Sequence, residues 1–396
     1  QPPEYFGKVN GRIDYRSPKL SSERLRKAFL RYLEMTNKAF PHIEYRCIGQ
    51  PDGWSALGDE DVAAGWDKID ERGPPGRYSN YYWDFIMDIR KRYMEKHPDA
   101  KFTVYAYGPT TRVPTNVDKI PENITVAFCQ GSSGWMMPGN KQLQYRREWL
   151  EKMSSKDQLF IHEYYIRHAY TYNNPPAPVI FTGMMKQSFK SLYDHAVGGL
   201  VETGWTSNVQ RRKVPLVTPK VGISHLMLLV HARLWWDRDL DIPAFIDDYC
   251  RRFFGPAQTE MKEFYAFAEN VWTRPEPREI TAGGGFLEKA DVKRYFDILD
   301  KAKAEAGDTV YGERVDFIAG EMQPLKKLHD KVERTGPSIK GFAAETEPVI
   351  DGNLHTRCWD QVPFLPTTTS RFCWRPTTAS VRKLWSTLMA SCTINV

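Results

Sequence analysis

Short apolar runs rich in β-branched and aromatic residues alternate, along the first half of the chain, with longer stretches of helical periodicity. His42–Gly49 (HIEYRCIG), Lys101–Gly108 (KFTVYAYG), Ile124–Gln130 (ITVAFCQ), Gln158–Tyr165 (QLFIHEYY) and Gly198–Thr203 (GGLVET) read as five strands. Between them, Tyr81–His97 carries apolar residues at helical spacing and stops before Pro98. Lys141–Met153 is a second helix, and Ser188–Ala196 begins a third. Beyond Pro219 the pattern turns helical, with Val221–Trp236, then Ile242–Phe254 halted by Gly255-Pro256, then two or three further helices from Thr259 to about Val332. The opening segment, QPPEYFGKVNGR, reads as a loop already inside a domain.

Strand and helix in alternation predict a parallel sheet with crossover helices, and strands apolar through most of their length predict burial on both faces. Five consecutive strands with polar tips fit a (β/α)₈ TIM-type barrel better than an open doubly wound sheet, with N-terminal strands lacking. The expected organisation is a barrel over residues 1–275, a helical extension over 276–334, a linker at Thr335–Glu347, and an incomplete β-sandwich-like module over 346–396. From Gln361 to Val396 there is no Asp or Glu at all.

A formal charge of +6, spread without like-charge blocks, argues against a nucleic-acid partner. No apolar run is long enough to span a membrane. The six cysteines show no paired metal-ligand spacing, so neither a metal nor another cofactor is expected. Cys47 and Cys129 each fall in an apolar strand, where a buried free thiol is the default. The aromatic share of 13%, with 12 Trp and 20 Tyr, suits the stacking of sugar C–H faces as well as it suits a large core.

Glycosidic cleavage ordinarily uses two carboxyl groups, and parallel strands bring their C-terminal ends to one mouth. Glu163 ends one strand, Glu202 ends another, and Asp52 follows a third in the turn QPDGW. Glu163 lies between His162 and two tyrosines, a setting expected to favour its protonated form. Each acid has a plainer reading as a loop anchor, and Asp52-Gly53 is ordinary turn chemistry. Trp54, Tyr105, Tyr107, Trp135, Tyr164, Tyr165, Tyr170, Tyr172 and Trp205 are candidate sugar platforms, with His162 beside them, whereas Trp235 and Trp236 read as core.

The ordered set PEYF…NGR, QPDGW, YYWDFIMDIRKRYMEKHPDAKFTVYAYG, PENITV, FIHEYY, GGLVETG and LLVHARLWWDRDLDIPAFIDDYCRRFFGPA resembles bacterial glycoside hydrolases of family 163, over about residues 1–275. The resemblance implies an endo-β-N-acetylglucosaminidase acting on complex N-glycans, secreted or periplasmic. Such an enzyme retains configuration by using the substrate's own 2-acetamido group as nucleophile, with Glu163, Glu202 and Asp52 at the family's acidic positions. The loop after Asp52 lacks the cysteines common in relatives, and RHAYTYNNPPAP after FIHEYY departs from the family pattern. The competing expectations are an α-glucuronidase-like or other polysaccharide hydrolase, and a non-catalytic glycan-binding barrel.

Overall fold

A computed structural model describes residues 3–54, 56–131, 139–165, 177–202, 220–274 and 287–332, with two short strands at 338–339 and 394–395. The chain divides after Lys326 into two compact units. In the second, Ser338–Ile339 pairs antiparallel with Ile394–Asn395, and the expected β-sandwich over 346–396 otherwise lies outside the described residues.

The first unit opens with a hairpin where a loop was expected. Strands β1 (Phe6–Val9) and β2 (Arg12–Pro18) are joined at Asn10 and Gly11, both at positive φ, which is the backbone a tight two-residue hairpin requires. The turn is held from outside, since the Asn10 and Gly11 amides donate to the Asp59 carboxylate at 3.0 and 2.9 Å. Helix α1 (Glu23–Ala39) follows, its first turn capped by Ser22.

Five strands then form one parallel sheet: β3 (Tyr45–Ile48), β4 (Lys101–Ala106), β5 (Ile124–Gln130), β6 (Leu159–Glu163) and β7 (Ala196–Val201). Neighbours in the sheet are neighbours in the chain, so the order 3-4-5-6-7 contains no reversal of the kind that defines a doubly wound fold. Helices α2 (Asp59–Ala63), α3 (Ile69–Arg72) and α4 (Ser79–Met94) lie between β3 and β4. Helix α5 (Gln142–Lys152) joins β5 to β6, and α6 (Thr182–Lys190) joins β6 to β7. The sequence places a helix start at Ser188, but the helix is already ending there. Its first turn is satisfied by Glu269, a distant residue that accepts from Thr182 Oγ1 and the Gly183 amide at 2.8 and 2.9 Å. A cap supplied through space leaves no local signature.

One face of the sheet is packed. Ile48, Phe102, Val104, Ile124, Val126, Phe128, Leu159 and Ile161 form a core with Leu33 of α1, Trp83, Ile86 and Ile89 of α4 and Trp149 of α5. The opposite face is unevenly covered. On the central strand β5 both faces are buried, whereas Tyr45 and Cys47 on β3 and Val197 and Leu200 on β7 are exposed. Cys47 is therefore not a buried thiol: it sits on the uncovered side of a strand at the end of the sheet. Cys129, on β5, is buried as expected.

A second core is helical. Helices α7 (Val221–Trp236), α8 (Ile242–Phe254), α9 (Gln258–Trp272), α10 (Lys289–Ala306) and α11 (Val310–Val332) pack together with α6 and the segment at 177–181. Helices before and after residue 275 share this core, so the expected break between a barrel and a helical extension is not a break in packing. Trp235 packs against both cores, while Trp236, one residue on, is 91% exposed. Only Trp235 turns inward at the end of α7, and the aromatic pair is half core.

Two consequences are measurable. A Cβ on Gly199 would stand 2.3 Å from Trp235 Cζ2 and 3.0 Å from the Ile161 carbonyl, so Gly199→Ala is expected to destabilise by about 1–3 kcal/mol, read from denaturant unfolding. His231 is buried on α7, accepting from Trp235 Nε1 at 2.9 Å, and burial lowers its pKa to about 4. The unfolded chain takes up that proton near pH 6.5, so stability is lost as pH falls from 6.5 toward 4 and levels off below. Relative to His231→Leu, the native protein should lose about 2–3 kcal/mol more between pH 7 and 4.5.

Candidate functional site

The pleat sends alternate side chains of each strand to opposite faces. On β6, Leu159, Ile161 and Glu163 go to the packed face and Phe160 and His162 to the other. Glu163 is paired in register with Val201, so Glu202, the next residue, turns to the face opposite Glu163. The Glu202 amide donates to the Glu163 carbonyl at 2.8 Å, so the two backbones touch while the two side chains diverge.

Glu163 is 1% exposed and enclosed by donors. Its Oε1 accepts from the backbone amides of Tyr164 and Tyr165 at 2.8 and 3.0 Å, and its Oε2 from Gln130 Nε2 at 3.0 Å. Gln130, opposite it on β5, accepts in turn from Arg146 Nη1 of α5 at 3.3 Å. Arg146 also donates to Ser188 and Ser191 hydroxyls at 2.8 and 2.9 Å, at the end of α6. Burial lowers the Arg146 pKa to about 10, against the opposing pull of the Glu163 charge, so the guanidinium is charged at neutral pH. Three N–H donors thus converge on the two Glu163 oxygens.

The other face carries a different cluster. Glu202 Oε2 lies 3.3 Å from His162 Nε2. The Tyr164 ring stacks on His162 with centroids 4.7 Å apart, and Tyr105 stands 6.2 Å from the same imidazole. Tyr164 donates its hydroxyl to Cys129 Sγ at 3.6 Å, and its ring is 6.3 Å from Tyr107. Tyr107 donates to Asp52 Oδ1 at 3.3 Å. Asp52, Tyr107, Tyr164, His162 and Glu202 thus form one continuous line across the C-terminal ends of β3, β4, β6 and β7. Burial pushes the Cys129 thiol up to about 12 and the Tyr105 and Tyr164 phenols upward as well, so none of the three is anionic at neutral pH. A protonated thiol is a poor nucleophile.

Two of the expected platforms are core residues. Trp54 is buried among Tyr78, Tyr81 and Tyr82, with its indole N–H on the Ala56 carbonyl at 3.0 Å. Tyr165 is buried in the helical core, its ring 5.7 Å from His231 and 5.6 Å from Phe181. Trp135, Tyr170, Tyr172 and Trp205 lie outside the described residues. Gln130 and Arg146 are the residues the sequence did not single out, and Cys129 it read only as a buried free thiol. Gln130 had a signal, being the polar tip of an apolar strand like Glu163, whereas Arg146 sits in a mixed polar helix and had none. Among the described residues no three His, Cys, Asp or Glu side chains are placed to hold a metal, and no helix is long and apolar enough to cross a membrane.

The two environments predict unequal stability effects. Arg146→Leu removes the buried guanidinium that donates to Gln130, Ser188 and Ser191 and should cost about 1–3 kcal/mol. Asp52→Asn, at an exposed turn, should stay within about 0.5 kcal/mol of the native protein. Urea unfolding midpoints of the two variants check this.

No curated protein matches the chain. The profile of the family described as "Domain of unknown function (DUF4838)" matches residues 1–266, a span that takes in the hairpin, the whole parallel sheet and every described residue of the site, and the chain belongs to that family.

Proposed function

We propose that the chain is a glycoside hydrolase whose five parallel strands belong to a (β/α)₈ barrel, and whose working carboxylates are Glu202 and Asp52. The singly wound strand order supports the barrel, since it is the order in which eight such strands close. The observation that carries the enzymatic reading is the line Asp52–Tyr107–Tyr164–His162–Glu202. It joins two acids across one mouth through rings on which a sugar can stack. Glu163 takes no part as acid or nucleophile in this reading.

The resemblance to family 163 supplies the substrate, an N-glycan with a β-linked N-acetylglucosamine, reached outside the cytoplasm. Its acetamido oxygen attacks C1 while Glu202 protonates the departing glycosidic oxygen, and the same carboxylate then takes a proton from the water that opens the cyclic intermediate. His162 neighbours Glu202 and balances its change of charge. Asp52 accepts the acetamido N–H, and Tyr107 holds Asp52 in place.

Glycan release from an N-glycoprotein tests the proposal. Glu202→Gln should lower kcat by about 10²–10⁴-fold with glycan binding retained. An unchanged kcat would remove Glu202 from the chemistry. Release only from uronic-acid oligosaccharides would move the substrate class to the α-glucuronidase-like alternative. Binding of glycan with no release by the native protein would make this a glycan-binding barrel and end the enzymatic reading.

A further inference from the structure

We infer that Glu163 is a positioning residue, which clamps the peptide after β6 so that the Tyr164 ring is held over His162 on the opposite face of the sheet. The inference deepens the reading of Glu202, His162 and Tyr164 as the site and rests on it for its kinetic arm alone.

The geometry runs from the helix layer to the mouth. Arg146 on α5 holds Gln130, Gln130 holds Glu163 Oε2, and Glu163 Oε1 takes the amides of the next two residues. The Tyr164 amide also donates to the Gln130 carbonyl at 2.9 Å, so this one N–H is fixed from two sides. Past that point the chain leaves the sheet, and its two rings part company. Tyr165 goes into the helical core, and Tyr164 goes over His162 with its hydroxyl on Cys129. A carboxylate whose oxygens are engaged by peptide amides and a carboxamide, 1% exposed and on the helix side, is built to shape backbone.

Residues 130 and 163 stand opposite each other in register, which allows a charge swap. In Glu163→Gln the new amide N–H₂ faces the Gln130 amide, donor against donor. In the double variant Glu163→Gln/Gln130→Glu, the introduced glutamine still accepts both backbone amides and donates across the strands. The introduced carboxylate then meets Arg146 directly. A positioning role is restored by the swap. A role as acid or nucleophile is not, because the charge has moved to another strand.

The primary readout needs no turnover. Native protein is treated with iodoacetamide and alkylation is followed at Cys129, which lies under the Tyr164 hydroxyl, and at Cys250, buried in the helical core, as the folding control. Glu163→Gln should speed Cys129 alkylation roughly tenfold to a hundredfold, the scale of one lost hydrogen bond to a charged group. Cys250 should stay protected, and the double variant should return Cys129 to within about threefold of the native rate. Gln130→Leu, which cuts the link while keeping Glu163, should expose Cys129 as Glu163→Gln does. In the kinetic arm, Glu163→Gln should lower kcat by up to about 10²-fold by misplacing the ring, with the swap recovering most of it.

Cys129 equally protected in the native protein, Glu163→Gln and Gln130→Leu overturns the inference. So does a double variant that keeps Cys250 protected yet remains as inactive as Glu163→Gln. Should Glu202→Gln prove to leave turnover unchanged, the proposed function fails by itself, and the Cys129 comparison still decides the role of Glu163.

Discussion

The pleat of β6 places neighbouring residues in two unlike media, and the rest of the site follows from that alternation. Toward the helices, Leu159, Ile161 and Glu163 enter a layer closed by Trp83 and Trp149. Away from them, Phe160 and His162 stay partly exposed. A slip of one residue in register would exchange the two sets, driving His162 into the core and Glu163 onto the other face. Apolar packing of Leu159 and Ile161 against Val126 and Phe128 makes such a slip prohibitive, so hydrophobic burial fixes which face each side chain at the strand tip occupies.

Having sent an acid to the packed face, the fold must solvate it. An unpaired buried carboxylate costs several kcal/mol, and a single ion pair offsets that only with good geometry and further hydrogen bonds. Here the compensation is shared: two peptide amides, the Gln130 carboxamide, and behind it Arg146 with the Ser188 and Ser191 hydroxyls. The network joins β5, β6, α5 and the end of α6, and so ties strand tips to the crossover helices that surround them. The helical core is tied on one residue later, through Tyr165 against His231, and again where Trp235 lies in the space left by the missing Cβ of Gly199.

Much of this architecture is legible in the sequence, for reasons visible at particular residues. ITVAFCQ is largely apolar because β5 is the central strand, buried on both sides, and its limits agree with the structure at both ends. The long helices α4 and α8 announce themselves by periodicity and by proline or glycine at their ends, and α7 by its apolar run. The hairpin was also announced, by Asn10-Gly11, but its strands are short and too polar to read as an apolar run. Helix α6 was misplaced because its cap is Glu269, far away in the chain. Trp54 is buried and Trp236 exposed, each opposite to its expected place, since a tryptophan in a glycine-rich turn and one in an apolar helix carry no statement of which way each faces.

The pairing of the acids was not legible at all, and the cause is general. Glu163 and Glu202 each end an apolar strand, and read separately they look equivalent. What separates them is the register between β6 and β7, which sets Glu163 against Val201 and leaves Glu202 one position further on. Register is a property of two strands together and is written in neither one alone. An acid at the tip of a parallel strand therefore has two destinations, the mouth or the helix layer, and the partners tell them apart. Glu163 meets peptide amides, a carboxamide and a guanidinium behind it, the company of a charge that must stay where it is. Glu202 meets an imidazole, a group able to follow a change in charge, on the opposite face of the sheet.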